Sequence, residues 1–166
     1  MLLAGVALLS ACDRSADETP DREAPRAAAN LIGTWTSVAP ATFSGEGLRT
    51  RMSDGRTRYR ADNRFDYAGR LTIFGPEIPP DGLSFRVTGA GDWRRAGNKL
   101  TEDFTEVTLV SEHDDRELNR LAAQLAQEIR DQAPSESAIL SLTDQRLELR
   151  DSGSGRTSSY TRQAAR

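Results

Sequence analysis

Residues 64–74 read RFDYAGRLTIF, and residues 83–95 read LSFRVTGAGDWRR. In the first stretch Phe65, Tyr67, Leu71 and Ile73 fall at odd positions around Gly69, while Arg64, Asp66, Arg70 and Thr72 fall at even ones. The second repeats the pattern: Leu83, Phe85, Val87, Gly89, Gly91 and Trp93 share one face, and Ser84, Arg86, Thr88, Asp92 and Arg94 share the other. A β-strand sends successive side chains to opposite sides, so strict period two over such lengths means antiparallel sheet with one dry face and one wet face. Glycines on the dry face let a long strand bend, as closure into a barrel requires. Gly69, Gly89 and Gly91 are therefore expected to leave whatever room the interior has.

Working outward, further strands are predicted at 31–38, 47–60 (interrupted at Ser53-Asp54-Gly55), 99–110, 137–142, 145–151 and 156–162. The separators DNR, GPEIPPDG, RAGN, TDQ and DSGSG are turn or loop chemistry. Gly153-Ser154-Gly155 lies between two strands, not before a helix, and reads as a hairpin turn instead of a phosphate loop. About eight consecutive strands joined mostly by short turns make an up-and-down meander, which avoids exposed edges best by closing on itself.

One segment breaks the pattern. DDRELNRLAAQLAQEIRDQAP places Leu118, Leu121, Leu125 and Ile129 at helical spacing, with Asp114 and Asp115 at its start and Pro134 beyond its end. This predicts an amphipathic helix of about five turns, its apolar stripe packed on one end or flank of the barrel.

The strand LTEDFTEVTLV raises a separate question. Leu100 and Phe104 share a face that carries Glu102 inward, yet further along the apolar face switches to Val107 and Leu109, so a bulge is expected near Thr105-Glu106. An inward Glu102 is costly without a partner, and it would orient a ligand or serve as a general acid. The alternative is that it sits at the rim beside an outer arginine and stays hydrated.

Little else in the chain carries chemistry. Its 166 residues include one histidine and one cysteine. His113, in Glu112-His113-Asp114-Asp115, is either a surface metal ligand or a solvated loop residue, and the second reading is the plainer one. Without nucleophile–base sets or ligand clusters, no enzyme, metal or cofactor is expected. The net charge of −3 argues against nucleic-acid binding. Lys99 is the one lysine, and Arg49, Arg51, Arg56, Arg58, Arg60, Arg64 and Arg70 crowd one segment. That segment is either a face for anionic headgroups or a solvated sheet face laced with weak ion pairs.

The chain opens differently. From Leu2 to Ala11 it is apolar or small, about half the length that a bilayer-spanning helix needs but suited to an export signal. Leu9-Ser10-Ala11-Cys12 resembles the lipobox of exported bacterial lipoproteins. That resemblance implies cleavage before Cys12, a diacylglyceryl group on its sulfur and a fatty acyl chain such as palmitate on the new amino terminus. It places residues 1–11 as signal peptide and the protein in the bacterial envelope, lipid-anchored and facing the periplasm. Asp13 resembles an inner-membrane retention signal. The signal lacks the usual basic opening, since only the Met1 amine is positive. Residues 13–30 hold charges, alanines and prolines but no large apolar side chain, and form a tether reaching roughly 20–25 Å.

The folded part, residues 31–166, opens on Leu31-Ile32-Gly33-Thr34-Trp35. A Gly-x-Trp entering the first strand of an antiparallel barrel is similar to the lipocalins, and more closely to bacterial lipocalin-like domains. YRADNRFDYAGRL and GDWRRAGNKLTE look like such domains too. The resemblance implies a calycin-type barrel in which Trp35 closes the floor beneath a late-strand basic residue, Arg150 or Arg162. It also implies a small apolar or amphipathic ligand held by an interior drawn from Trp35, Phe65, Tyr67, Phe85, Trp93, Glu102, Phe104 and Tyr160. The alternative is a structural or accessory envelope lipoprotein with a packed barrel that docks a protein partner and binds no ligand.

Overall fold

The computed structural model describes residues 30–45, 47–113 and 115–164. The signal segment, Cys12, the tether up to residue 29 and Asp114 lie outside the described residues. Among the described residues nine antiparallel strands form one sheet: β1 (Gly33–Ser37), β2 (Ala41–Gly45), β3 (Leu48–Tyr59), β4 (Arg64–Phe74), β5 (Leu83–Ala96), β6 (Lys99–Ser111), β7 (Ser135–Leu142), β8 (Arg146–Asp151) and β9 (Thr157–Arg162). Each strand from β3 to β9 pairs with the one before it, and β1 pairs with both β3 and β9. The meander thus closes into an eight-stranded, mainly β barrel of the lipocalin-like kind, with β2 as an additional strand on β3.

The alternation that predicted β4 and β5 holds in space. Phe65, Leu71, Ile73, Phe85, Val87 and Trp93 are all buried. The expected interruption of β3 is a β-bulge between Ser53 and Arg56, with Asp54 at φ 56°. The bulge expected in β6 lies where Ala90 pairs with Glu106 but Gly91 pairs with Phe104, so Thr105 is the extra residue. It shifts the inward set from Leu100, Glu102 and Phe104 to Val107 and Leu109, reconciling two apolar runs of opposite parity.

The glycines behave differently from the expectation. A Cβ on Gly69 would meet the Tyr67 hydroxyl at 2.5 Å, and one on Gly89 would meet the Phe104 ring at 2.7 Å. One on Gly91 would strike the Phe65 ring and the Asp103 carbonyl. The space these residues leave is filled by neighbouring aromatic rings, so they serve packing and leave no room for a ligand.

β2 was not expected from the sequence. Pro40, which lacks an N–H, ends β1's ladder and the chain bends at Val38–Pro40 before resuming along β3. The pairing of β1 with β9 is short, Trp35 with Arg162 through Ser37 with Tyr160. It is extended by Val38 N–H donating to Ser159 O (2.9 Å) and Gln163 N–H donating to Thr34 O (2.8 Å).

Helix α1 (Arg116–Arg130) connects β6 to β7, at fifteen residues shorter than the stretch of periodic sequence allowed. Its N-cap is Asp115, whose side chain accepts from the Glu117 and Leu118 amides, and the last turn ends at Asp131, before Pro134. The leucines expected on its inner stripe are only partly buried; Ala122 and Ala126, between them, lie deepest. Small side chains let the helix come close to β6, whose far half has β5 as its only strand neighbour, because β7 pairs only with Lys99–Glu102.

Two cores result. The lower one joins Leu31, Trp35, Tyr59, Phe65, Trp93, Leu100, Ile139, Leu147 and Leu149. The upper one joins Leu71, Ile73, Phe85, Val87 and Leu109 to the helix, and Tyr67 touches both.

Of the two basic residues offered for the floor, Arg162 is the one in place. Its guanidinium carbon sits 4.3 Å from the centre of the Trp35 ring. Its three nitrogens donate to the carbonyls of Asp144 (2.6 Å), Ile32 and Asn30. Trp35 Nε1 donates to Leu31 O at 2.7 Å. Gly33, at φ 138°, lets this guanidinium approach, since a Cβ there would lie 2.5 Å from Arg162 Nη1.

Gly33→Ala is therefore expected to lower stability by about 1–3 kcal/mol, through backbone strain and a displaced Arg162. Arg162→Lys should also destabilise, because an ammonium cannot satisfy three carbonyls while lying flat on an indole. Urea denaturation of both variants checks this, and midpoints matching the wild type would contradict it.

Candidate functional site

The bend at Val38–Pro40 carries β2 away from β9, and no ladder joins them. A cavity of about 700 Å³ fills the opening. Its walls come from the bend and β2 on one side and from β8, β9 and their turn on the other, with Ser137 of β7 and Glu102 of β6 completing it. One side chain spans the mouth: Arg156 donates to Thr42 O and lies over the Phe43 ring, 4.7 Å from its centre. Val38 and Phe43 are exposed at this rim.

The β8–β9 turn is pinned by its own hydrogen bonds. Asp151 Oδ1 accepts from both Ser154 N–H and Ser154 Oγ (2.6 Å each), and Gly155 N–H donates to Asp151 O. The Ser154 hydrogen bonds hold the Asp151 carboxyl below its ordinary range, so this rim residue stays anionic.

Glu102 is the unusual group. It points inward, as the parity of β6 requires, is partly buried, and lines the cavity. Its Oε1 accepts from the Tyr59 hydroxyl at 2.8 Å, and no basic side chain among the described residues pairs with it. Among the described residues no outer arginine of the rim alternative pairs with it. Burial pushes its carboxyl pKa up, outweighing the opposing effect of the Tyr59 hydrogen bond. Tyrosine hydroxyls around it shift the same way: Tyr59 lies well above its usual value through burial and then the charge of Glu102. Tyr67 is pushed up to about 12 by burial, then by Tyr160 and Glu102, and Tyr160 is raised by burial and Glu102.

Of the eight interior residues expected from the sequence, Glu102 and Tyr160 line the cavity. The others pack around it. Trp35 lies under Arg162 on the floor. Phe65 and Tyr67 both stand edge-on to Phe104, with ring centres 4.9 Å and 6.1 Å away. Trp93 meets Tyr59 at 5.5 Å and donates from Nε1 to Arg60 O. Phe85 belongs to the upper core beside the helix.

Two contributors were missed. Tyr59 was legible in RTRYR, where Thr57 and Tyr59 alternate with arginines, and both are buried. Phe43 was not legible, because ATFSG is too short to show a period and follows a proline. In the arginine-rich segment three of the seven arginines make ion pairs among the described residues. Arg60 pairs with Asp62 and Asp66, Arg64 with Asp92 (3.4 Å), and Arg70 with Asp54 and Glu112 (3.1 Å) on the outer surface.

The chain matches no protein-family model and no curated protein sequence.

The shift of Glu102 has a sign. The folded state keeps this proton to a higher pH than the unfolded chain does, so stability is full below the ordinary value of 4.5 and falls as pH rises toward the raised one. Glu102→Gln, which still accepts from Tyr59, should remove that part of the fall. Urea midpoints followed from about pH 4 to about pH 8 should decline less in the variant than in the wild type, and parallel curves would contradict the assignment.

Proposed function

We propose that this protein is a non-catalytic binding module of the bacterial envelope, held at the membrane through acylated Cys12, whose barrel takes up a small apolar or amphipathic molecule. The observation that carries the reading is the cavity beside β2. At about 700 Å³ it falls in the range of small-molecule sites, of about 300–1,000 Å³. Here the aromatic side chains fill the floor and leave the side of the barrel open between β2 and β9.

The anchoring half of the proposal rests on Leu9-Ser10-Ala11-Cys12. An acyl-anchored domain on a tether reaching roughly 20–25 Å stands close to lipids and lipid-derived molecules, which are amphipathic. A second reading, a docking module for an envelope protein, draws on the exposed Val38, Phe43 and Leu48 around the bend and β2.

Native mass spectrometry of the full chain, released from its own envelope in mild detergent, separates these readings. A reproducible small-molecule adduct, lost on Phe43→Asp substitution at the mouth, is the expected result. A clean apo mass with a co-purifying protein would favour docking instead. For the anchor, Cys12→Ser should abolish labelled-palmitate incorporation and leave the precursor uncleaved; undiminished labelling would remove the lipoprotein assignment.

A further inference from the structure

We infer that the cavity selects a cationic amphiphile, an organic ammonium with an apolar body, and that Glu102 is the residue that receives its charge. The inference rests on the binding-module reading above and adds the chemical class of the ligand.

The polar part of the walls is mainly acidic and hydroxylic. Besides Arg156, the polar side chains among the lining residues are the Glu102 and Asp151 carboxylates and hydroxyls from Thr42, Ser137, Tyr160 and the β8–β9 turn and β9. Arg156 is the one basic side chain among the lining residues, and its guanidinium is already committed to Thr42 O and the Phe43 ring at the mouth. An anionic headgroup would therefore meet carboxylates within the cavity, with the one cation of the lining out at the mouth. An ammonium meets the opposite: an acidic group at depth, hydroxyl oxygens able to accept its remaining N–H bonds, and aromatic rings at the rim.

The position of Glu102 makes the match specific. Its Oε1 is occupied by Tyr59, and no basic side chain among the described residues neutralises the carboxyl. The groups packed toward it are Tyr59 from β3, Trp93 across the ladder from β5, Ser135 across from β7, and the hydroxyls of Tyr67 and Tyr160. A buried carboxyl so placed is costly when ionised and alone, and an incoming cation removes that cost. The apolar body would lie along Val38, Pro40, Phe43 and Leu149.

The test is calorimetric titration of the full chain with three probes of one shape, 2-phenylethylammonium, 2-phenylethanol and 3-phenylpropionate. The ammonium should bind at least about tenfold more tightly than the alcohol, and the carboxylate more weakly than either. Glu102→Gln should bring the ammonium down to the level of the alcohol and leave the alcohol unchanged. Over the pH range in which the wild-type Glu102 titrates, ammonium binding should release protons, because pairing favours the ionised carboxyl; buffers of different ionisation enthalpy read this without any variant. Alcohol or carboxylate binding as well as the ammonium would overturn the inference and leave the binding module standing. So would ammonium binding without proton release, or with the preference intact in Glu102→Gln. Failure of all three probes to bind would count against both.

Discussion

The barrel depends on a seam only a few residues long. β1 must pair with β3 on one side, which it does from Gly33 to Thr36, and with β9 on the other, which it does only from Trp35 to Ser37 before the chain bends away. Arg162 compensates for that shortness. Its guanidinium binds carbonyls from Asn30, Ile32 and Asp144 and covers Trp35, linking the chain's entry into the sheet, its last strand and the β7–β8 turn. Guanidinium geometry suits the task, since a planar fork can donate in its plane and stack through its face. Gly33 is the backbone counterpart of the same contact, because any side chain there would occupy the place of the guanidinium.

From that seam the division of the interior follows. Below it, all walls are paired and the space is filled by interlocked aromatics around Trp35, Tyr59, Phe65 and Trp93. Above it, the walls part on both sides. β6 runs past the last residue that β7 can pair with, and α1 packs along the strand so exposed. β2 runs past the last residue of β1, but among the described residues nothing comparable covers the opening beside it, and Arg156 reaches across. One opening is closed by a helix and the other remains as the cavity. Glu102 lies where the packed floor meets that cavity, tied to Tyr59 of the first and lining the second.

Much of this was legible in the sequence, for reasons tied to particular residues. The long strands were plain because sheet alternation is a strong signal when carried over ten or more positions, as from Phe65 to Ile73 and from Leu83 to Trp93. Even the bulge at Thr105 could be read, since an apolar strand that changes parity midway needs an inserted residue to keep both halves facing inward. The inward Glu102 followed from the same parity. What escaped was whatever depended on distant parts of the chain meeting. ATFSG forms β2 because the far half of β3 offers it a partner, which no local pattern records. The glycines were identified as interior, but their use depends on which ring lies opposite, and that is a property of the assembled sheet. The helix stripe packs on the barrel flank as its period implied, with Leu121, Leu125 and Ile129 against the upper core, while close approach to a strand places the smaller Ala122 and Ala126 deepest.

Amide hydrogen exchange resolved by NMR tests the seam and the opening together. Val38 N–H and Gln163 N–H donate across the seam to Ser159 O and Thr34 O, and should exchange as slowly as core amides. Thr42 turns its carbonyl toward Arg156 and the opening, and in a strand the N–H of a residue faces the same edge, so its amide should exchange far faster. Rapid exchange at Val38 and Gln163 would mean the barrel is not closed there. Strong protection of Thr42 would mean that β2 is sealed against its neighbour and the cavity has no opening at that wall.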